Sequence, residues 1–210
     1  MRVKAIHRVV VACFALLLAG VGAAADGTPD AKSLLEALGK GGCYIVMRHA
    51  SSPRTPPAAG EEVAGNTARE RQLDARGRQT ARAMGESLRR LGLPIGAVLA
   101  SPAWRAQETA QEARLPRPTL VQELGDGGQS MSAAGSAQTN WLRQQVTRPV
   151  PNGNTVVISH FPNLQGAFPE YAADLADGEA MIFRPGSGGE VAFLGRVRIE
   201  DWPSFGAALR

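Results

Sequence analysis

The stretch CYIVMRHASSP, residues 43–53, decides the fold. Tyr44 to Met47 is a short continuous apolar run, the pattern of a strand covered on both faces. It runs directly into Arg48 and His49, and then into a loop carrying Pro53, Pro56, Pro57 and Gly60. A buried strand that ends on two strongly polar side chains delivers them to the rim of a sheet.

The segments downstream alternate in the same way. Asp74 is placed as the N-cap of a helix in which Ala81, Met84, Leu88 and Leu91 recur at spacings of three and four, and Gly92 and Pro94 end it. Ala97 to Ala100 is a second short strand. In the SPAWRAQETAQEA segment that follows, Ser101 suits an N-cap and Pro102 the first helical position. Leu120 lies near a short strand, Ala133 to Val146 reads as a helix, and Thr155 to Ser159 is another buried strand meeting a turn at Pro162. The segment EAMIFRPGSGGEVAFLGRVRI, residues 179–199, is two strands around a Gly-rich turn, hence a hairpin. The pattern predicts an α/β fold: a three-layer α/β/α sandwich with a mostly parallel sheet and a C-terminal antiparallel hairpin.

Residues 1–25 stand apart. Arg2, Lys4 and Arg8 precede an apolar run from Val9 to Val21, and Ala23, Ala24 and Ala25 follow. This is the layout of a cleaved signal peptide, with cleavage near Asp26 and a periplasmic or secreted product. The run is shorter than the roughly 20 residues of a membrane span, so no stable span is expected after cleavage. Residues 26–210 then form a single domain. Loss of the segment removes three basic residues and no acidic ones, lowering the formal net charge from +4 to +1. No basic cluster interleaved with aromatics remains, which argues against a nucleic-acid partner. Cys43 is left as the single cysteine, without an internal disulfide partner, and its place in an apolar run marks it as a buried small hydrophobe.

Of the three histidines, His7 leaves with the signal, and His49 and His160 both stand at strand ends. In open α/β sheets ligands bind beyond the carboxyl ends of the strands. Arg105 adds a third group at such a junction, in the first turn of its helix, where backbone N–H groups and the helix dipole favour an anion. Two guanidiniums suit the oxygens of a phosphomonoester, and their charge disfavours an imidazolium, so His49 is expected neutral and nucleophilic. The adjacent arginines repel a cation and no third ligand has suitable spacing, so neither metal nor cofactor is expected.

The ordered set RHA after the first strand, SPAWRAQETA after the second and ISHFPNL after a later one resembles the histidine phosphatase superfamily, the phosphoglycerate-mutase-like proteins marked by an Arg-His-Gly motif. RQLDARGRQTARAMGESLRRLG, residues 71–92, resembles the helix that links the first two motifs there. The resemblance covers Gly42 to Leu164. It implies a histidine acid phosphatase-like phosphomonoester hydrolase acting on a small phosphorylated substrate. His49 is the implied phosphoryl acceptor, Arg48, Arg105 and His160 form the implied phosphate pocket, and a glutamate after the third strand is the implied proton donor. Glu123 fits that role, with Glu179 as rival and Glu61, Glu62 and Glu70 as more distant choices. Ala50 stands in place of the motif's glycine, and Ser159 where glycine often precedes the second histidine. A phosphoglycerate-type mutase and a non-catalytic phosphate-binding module are the alternatives; the signal argues against the first and the retained His49 against the second.

Overall fold

The computed structural model describes residues 31–126 and 135–205. The helix α1 (Ala31–Gly39) leads into β1 (Tyr44–Arg48), followed by α2 (Ala75–Arg90), β2 (Ile95–Ala100), α3 (Trp104–Glu112) and β3 (Thr119–Leu120). A 3-10 turn (Gln122–Leu124), α4 (Ser136–Gln145), β4 (Asn154–Ser159), α5 (Phe161–Ala167) and α6 (Pro169–Ala172) come next. The hairpin β5 (Ala180–Pro185) and β6 (Val191–Val197) and the short α7 (Trp202–Phe205) complete the order.

The strands form one sheet in the order β3-β2-β4-β1-β5-β6. The β3, β2, β4 and β1 strands are parallel, and β5 and β6 pair antiparallel on the far side. Strand side chains alternate between two cores, as a period of two requires. Ile45, Met47, Val156, Ile158 and Ile182 face a core shared with Leu38, Met84, Leu88, Ala106 and Trp202 from α1, α2, α3 and α7. Tyr44, Val46, Val157, Met181 and Phe183 face the other, with Leu142, Leu164 and Ala172 from α4, α5 and α6. Both faces are covered, which explains the uninterrupted apolar run in β1 and makes the molecule a three-layer sandwich. Cys43 is fully buried in the first core.

Three local expectations change. The α3 helix begins at Trp104, with Ala103 as N-cap, so Ser101 and Pro102 precede it. Ser101 Oγ accepts from Ala103 N at 3.1 Å, and the Trp104 N–H is satisfied by Glu70 Oε2 at 2.7 Å. Pro162 is not in a turn but near the start of α5, where its missing N–H would have no intrahelical partner. The helix expected from Ala133 begins at Ser136, and residues 133–134 lie outside those described. Among the described residues no helix is long and apolar enough to cross a membrane.

Candidate active site

Register brings the site together. Arg48 pairs with Ser159 across β1 and β4, His49 N donates to Ser159 O at 3.0 Å, and Ser101 N donates to Ile158 O at 2.9 Å. The carboxyl ends of three adjacent parallel strands thus place Arg48 and His49, Ser159 and His160, and Ser101 side by side. The imidazoles of His49 and His160 lie 5.3 Å apart in an edge arrangement.

Gly77 closes this end of the sheet. A Cβ there would collide with Ser51 O, so only glycine lets the first turn of α2 pack against the chain that has just left β1. Asp74 caps the same turn, accepting from Gly77 N at 2.7 Å and from Ser51 Oγ at 2.7 Å.

His49 is buried. Its Nδ1 lies 2.8 Å from Ala50 O, so the network assigns the proton to Nδ1 and leaves Nε2 with its lone pair, facing Arg105 Nε at 3.3 Å. Burial pushes the imidazole pKa down from 6.5 to about 3; the Ala50 carbonyl opposes this, and the charges of Arg105, Arg48 and Arg71 add to it. The neutrality expected from the sequence is present, with loss of solvent as its leading cause and the arginines second.

Arg105 is the hub. Only 1% of its side chain is exposed, and its Nη2 donates to Asp126 Oδ2 and lies 3.1 Å from His160 Nδ1. His160 Nε2 in turn lies 2.8 Å from Ser101 Oγ. With Nδ1 accepting from Arg105, Nε2 carries the proton and donates to Ser101. The His160 pKa is also driven down, by burial first and then by His49, Arg105, Arg71 and Arg48.

Arg48 is half-buried at the rim. Its Nη2 is 2.6 Å from Asp177 Oδ1, its Nη1 donates to Leu175 O at 3.3 Å, and its guanidinium lies over the Phe161 ring at 5.7 Å. Its Nε has no hydrogen-bond partner among the described residues. Among those residues no three His, Cys, Asp or Glu side chains converge as a cation site.

A family model described as the histidine phosphatase superfamily (branch 1) matches residues 44–126, from the start of β1 to the carboxylate on Arg105. Over these residues the chain is similar to the histidine phosphatase superfamily. No curated protein matches it. Among solved structures, the protein histidine phosphatase SixA complexed with tungstate is 20% identical over 75% of this chain and 97% of its own, with a TM-score of 0.53. Phosphoserine phosphatase from Entamoeba histolytica, in complex with 3-phosphoglyceric acid, is 13% identical over 75% of this chain and 98% of its own, with a TM-score of 0.51. At these identities the likeness is one of fold.

Of the site residues expected from the superfamily's motifs, His49, Arg105 and His160 touch one another and Arg48 stands at the rim. Glu123 is in the 3-10 turn, where its carbonyl accepts from Asn163 Nδ2 at 3.2 Å. Glu179 is buried, and its carboxylate is taken up in a two-point pair with Arg196, at 2.8 and 2.7 Å, and accepts from Ala176 N at 2.9 Å. Glu62 pairs with Arg69 in the proline-rich loop at 2.7 Å. Ser159 Oγ donates to Leu124 O at 2.8 Å, so the hydroxyl at this departure from the motif pins the turn that carries Glu123.

Three further residues were given no part in the site from the sequence. Asp126 holds Arg105 and Ser101 holds His160. Arg71 adds positive charge at both histidines, and its Nε donates to Pro53 O at 2.7 Å. The one available signal was the placement of Arg71 two residues before Leu73, in the segment that resembles the superfamily's linking helix. Asp126 carried none, since a carboxylate in a Gly-rich stretch ordinarily reads as a solvated loop residue.

Proposed function

We propose that this chain is an exported phosphomonoesterase that works through a phosphohistidine on His49. The observation that carries the reading is a buried, neutral His49 whose unprotonated Nε2 faces a guanidinium, Arg105, that also touches His160. The superfamily match and the phosphatase names of its structural neighbours support a phosphatase; the layout of residues 1–25 supports export.

In the first step His49 Nε2 attacks phosphorus, a P–N bond forms and the P–O bond to the leaving group breaks in line. Arg105 and Arg48 stabilise charge on the equatorial oxygens, and Arg71 raises the local potential. An alkyl leaving group takes a proton as it departs, from a carboxyl group after β3, where Glu123 and Asp126 stand. Water then attacks phosphorus, the P–N bond breaks, and inorganic phosphate leaves with His49 neutral again.

The test is a rapid quench with substrate labelled at phosphorus. A base-stable, acid-labile phosphoenzyme that maps to His49 is expected, in the presence of EDTA. Label on a serine or carboxylate, or turnover only with an added divalent cation, would overturn the mechanism. A panel of phosphomonoesters assayed with the mature protein identifies the substrate class.

A further inference from the structure

Arg105 is committed to a carboxylate. Asp126 Oδ2 accepts from Arg105 Nη2, both side chains are at most 3% exposed, and Arg105 Nη1 and Asp126 Oδ1 are each buried without a hydrogen-bond partner among the described residues. Asp126 therefore holds Oδ2 on the guanidinium on which a phosphoryl group would also sit, and keeps Oδ1 buried and unpartnered among the described residues. A dianion and a carboxylate on one guanidinium in a site that excludes water repel each other strongly.

A second observation gives the resolution. Asp126 Oδ2 lies 3.4 Å from His160 Nδ1. With the His160 proton on Nε2 toward Ser101, two acceptors face each other, and a proton entering the cluster has a place between them. The charged groups around Asp126 are Arg105 from α3, His160 from the end of β4, Arg71 from the loop before α2, and Glu70 across the cavity they share.

We infer that Asp126 holds the phosphate seat on Arg105 in the free protein and is displaced from it by the bound oxyanion, taking up one proton as it yields. The inference rests on the phosphate-pocket reading above. It also gives the catalytic cycle its acid. The Asp126 O–H formed on binding breaks as the leaving oxygen gains that proton, and the carboxylate returns to Arg105 when phosphate departs.

Tungstate, a tetrahedral dianion that does not titrate near neutral pH, is the probe. Calorimetric titration of the mature protein in buffers of different ionisation enthalpy should show uptake of about one proton per anion, with affinity falling about tenfold per pH unit above neutrality. In Asp126→Asn, which keeps the shape and loses the charge, binding should tighten by about tenfold or more and lose both the proton uptake and the pH dependence. Uptake that persists in Asp126→Asn would assign the proton to a histidine and overturn the inference. So would equal or weaker tungstate binding by a folded Asp126→Asn, which would make Asp126 a positioning group for Arg105. Wild-type protein that binds no tungstate would refute the pocket itself.

Discussion

Arg105 Nε lies 3.3 Å from His49 Nε2, and the second nitrogen of that imidazole is tied to the Ala50 carbonyl. One contact fixes the tautomer and the other aims a cation at the nucleophilic nitrogen. The replacement of glycine by Ala50 leaves this intact, because the carbonyl and not the side chain makes the bond. The Ala50 N–H is likewise satisfied, by Thr109 Oγ1 at 3.1 Å.

His49 stays neutral well below the ordinary histidine range. In ¹⁵N-detected spectra of the free protein its Nδ1–H, Nε2-bare pattern should persist at pH 5, since its pKa is depressed to about 3. An imidazolium signal appearing near pH 6.5 would contradict the burial argument.

The same depression makes a stability prediction. Between pH 6.5 and about 3 the unfolded chain binds a proton that buried His49 refuses. Its contribution is complete above 6.5 and is lost as pH falls through that window, at about 1.4 kcal/mol per pH unit. His160, depressed in the same direction, adds to the loss. Denaturant midpoints measured from pH 7 down to 4 should fall steadily; a flat profile would show that both rings gain charge in the native state.

Arg105→Lys should retain the fold and lose about 10²- to 10³-fold in kcat, because a point charge cannot serve His49, Asp126 and His160 at once from one planar fork. Arg48→Lys, at the half-exposed rim, should lose less. Equal activity in Arg105→Lys and wild type would remove Arg105 from the reaction.

Leaving-group dependence separates the candidate acids. A proton matters for an alkyl alkoxide and little for a nitrophenolate. Asp126→Asn should slow alkyl phosphate hydrolysis while sparing p-nitrophenyl phosphate. The selective defect in Glu123→Gln instead would return the role to the residue expected from the sequence. Glu179→Gln should lower stability by about 2 kcal/mol through its pair with Arg196, without leaving-group selectivity.

Gly77→Ala should destabilise the protein by about 2 kcal/mol or more and reduce activity with it, since the new methyl meets a backbone oxygen that cannot move without shifting the loop after His49. Unchanged melting would mean that the α2 turn and that loop part easily.

The layered fold was legible in the sequence because its signals are local. The apolar run in β1, the three-and-four spacing on α2 and the Gly-rich hairpin turn each follow from side-chain periods that a strand or helix imposes on itself. So was the placement of Arg48, His49 and His160, because polar residues ending buried strands must emerge at the same rim. The start of α3 was misplaced because the Ser101 hydroxyl serves His160 and Ala103, and Glu70, distant in sequence, satisfies the Trp104 N–H in its place. Tertiary structure alone decided which carboxylate meets Arg105. Glu123 and Asp126 are three residues apart, both acidic and on either side of Gly125, and nothing local distinguishes them. The choice is made by Ser159 fastening the 3-10 turn at Leu124, which leaves Asp126 buried against a guanidinium delivered from α3. A contact between segments that meet only after folding leaves no period in the sequence, which is why the strand ends could be read there and the partner of Arg105 could not.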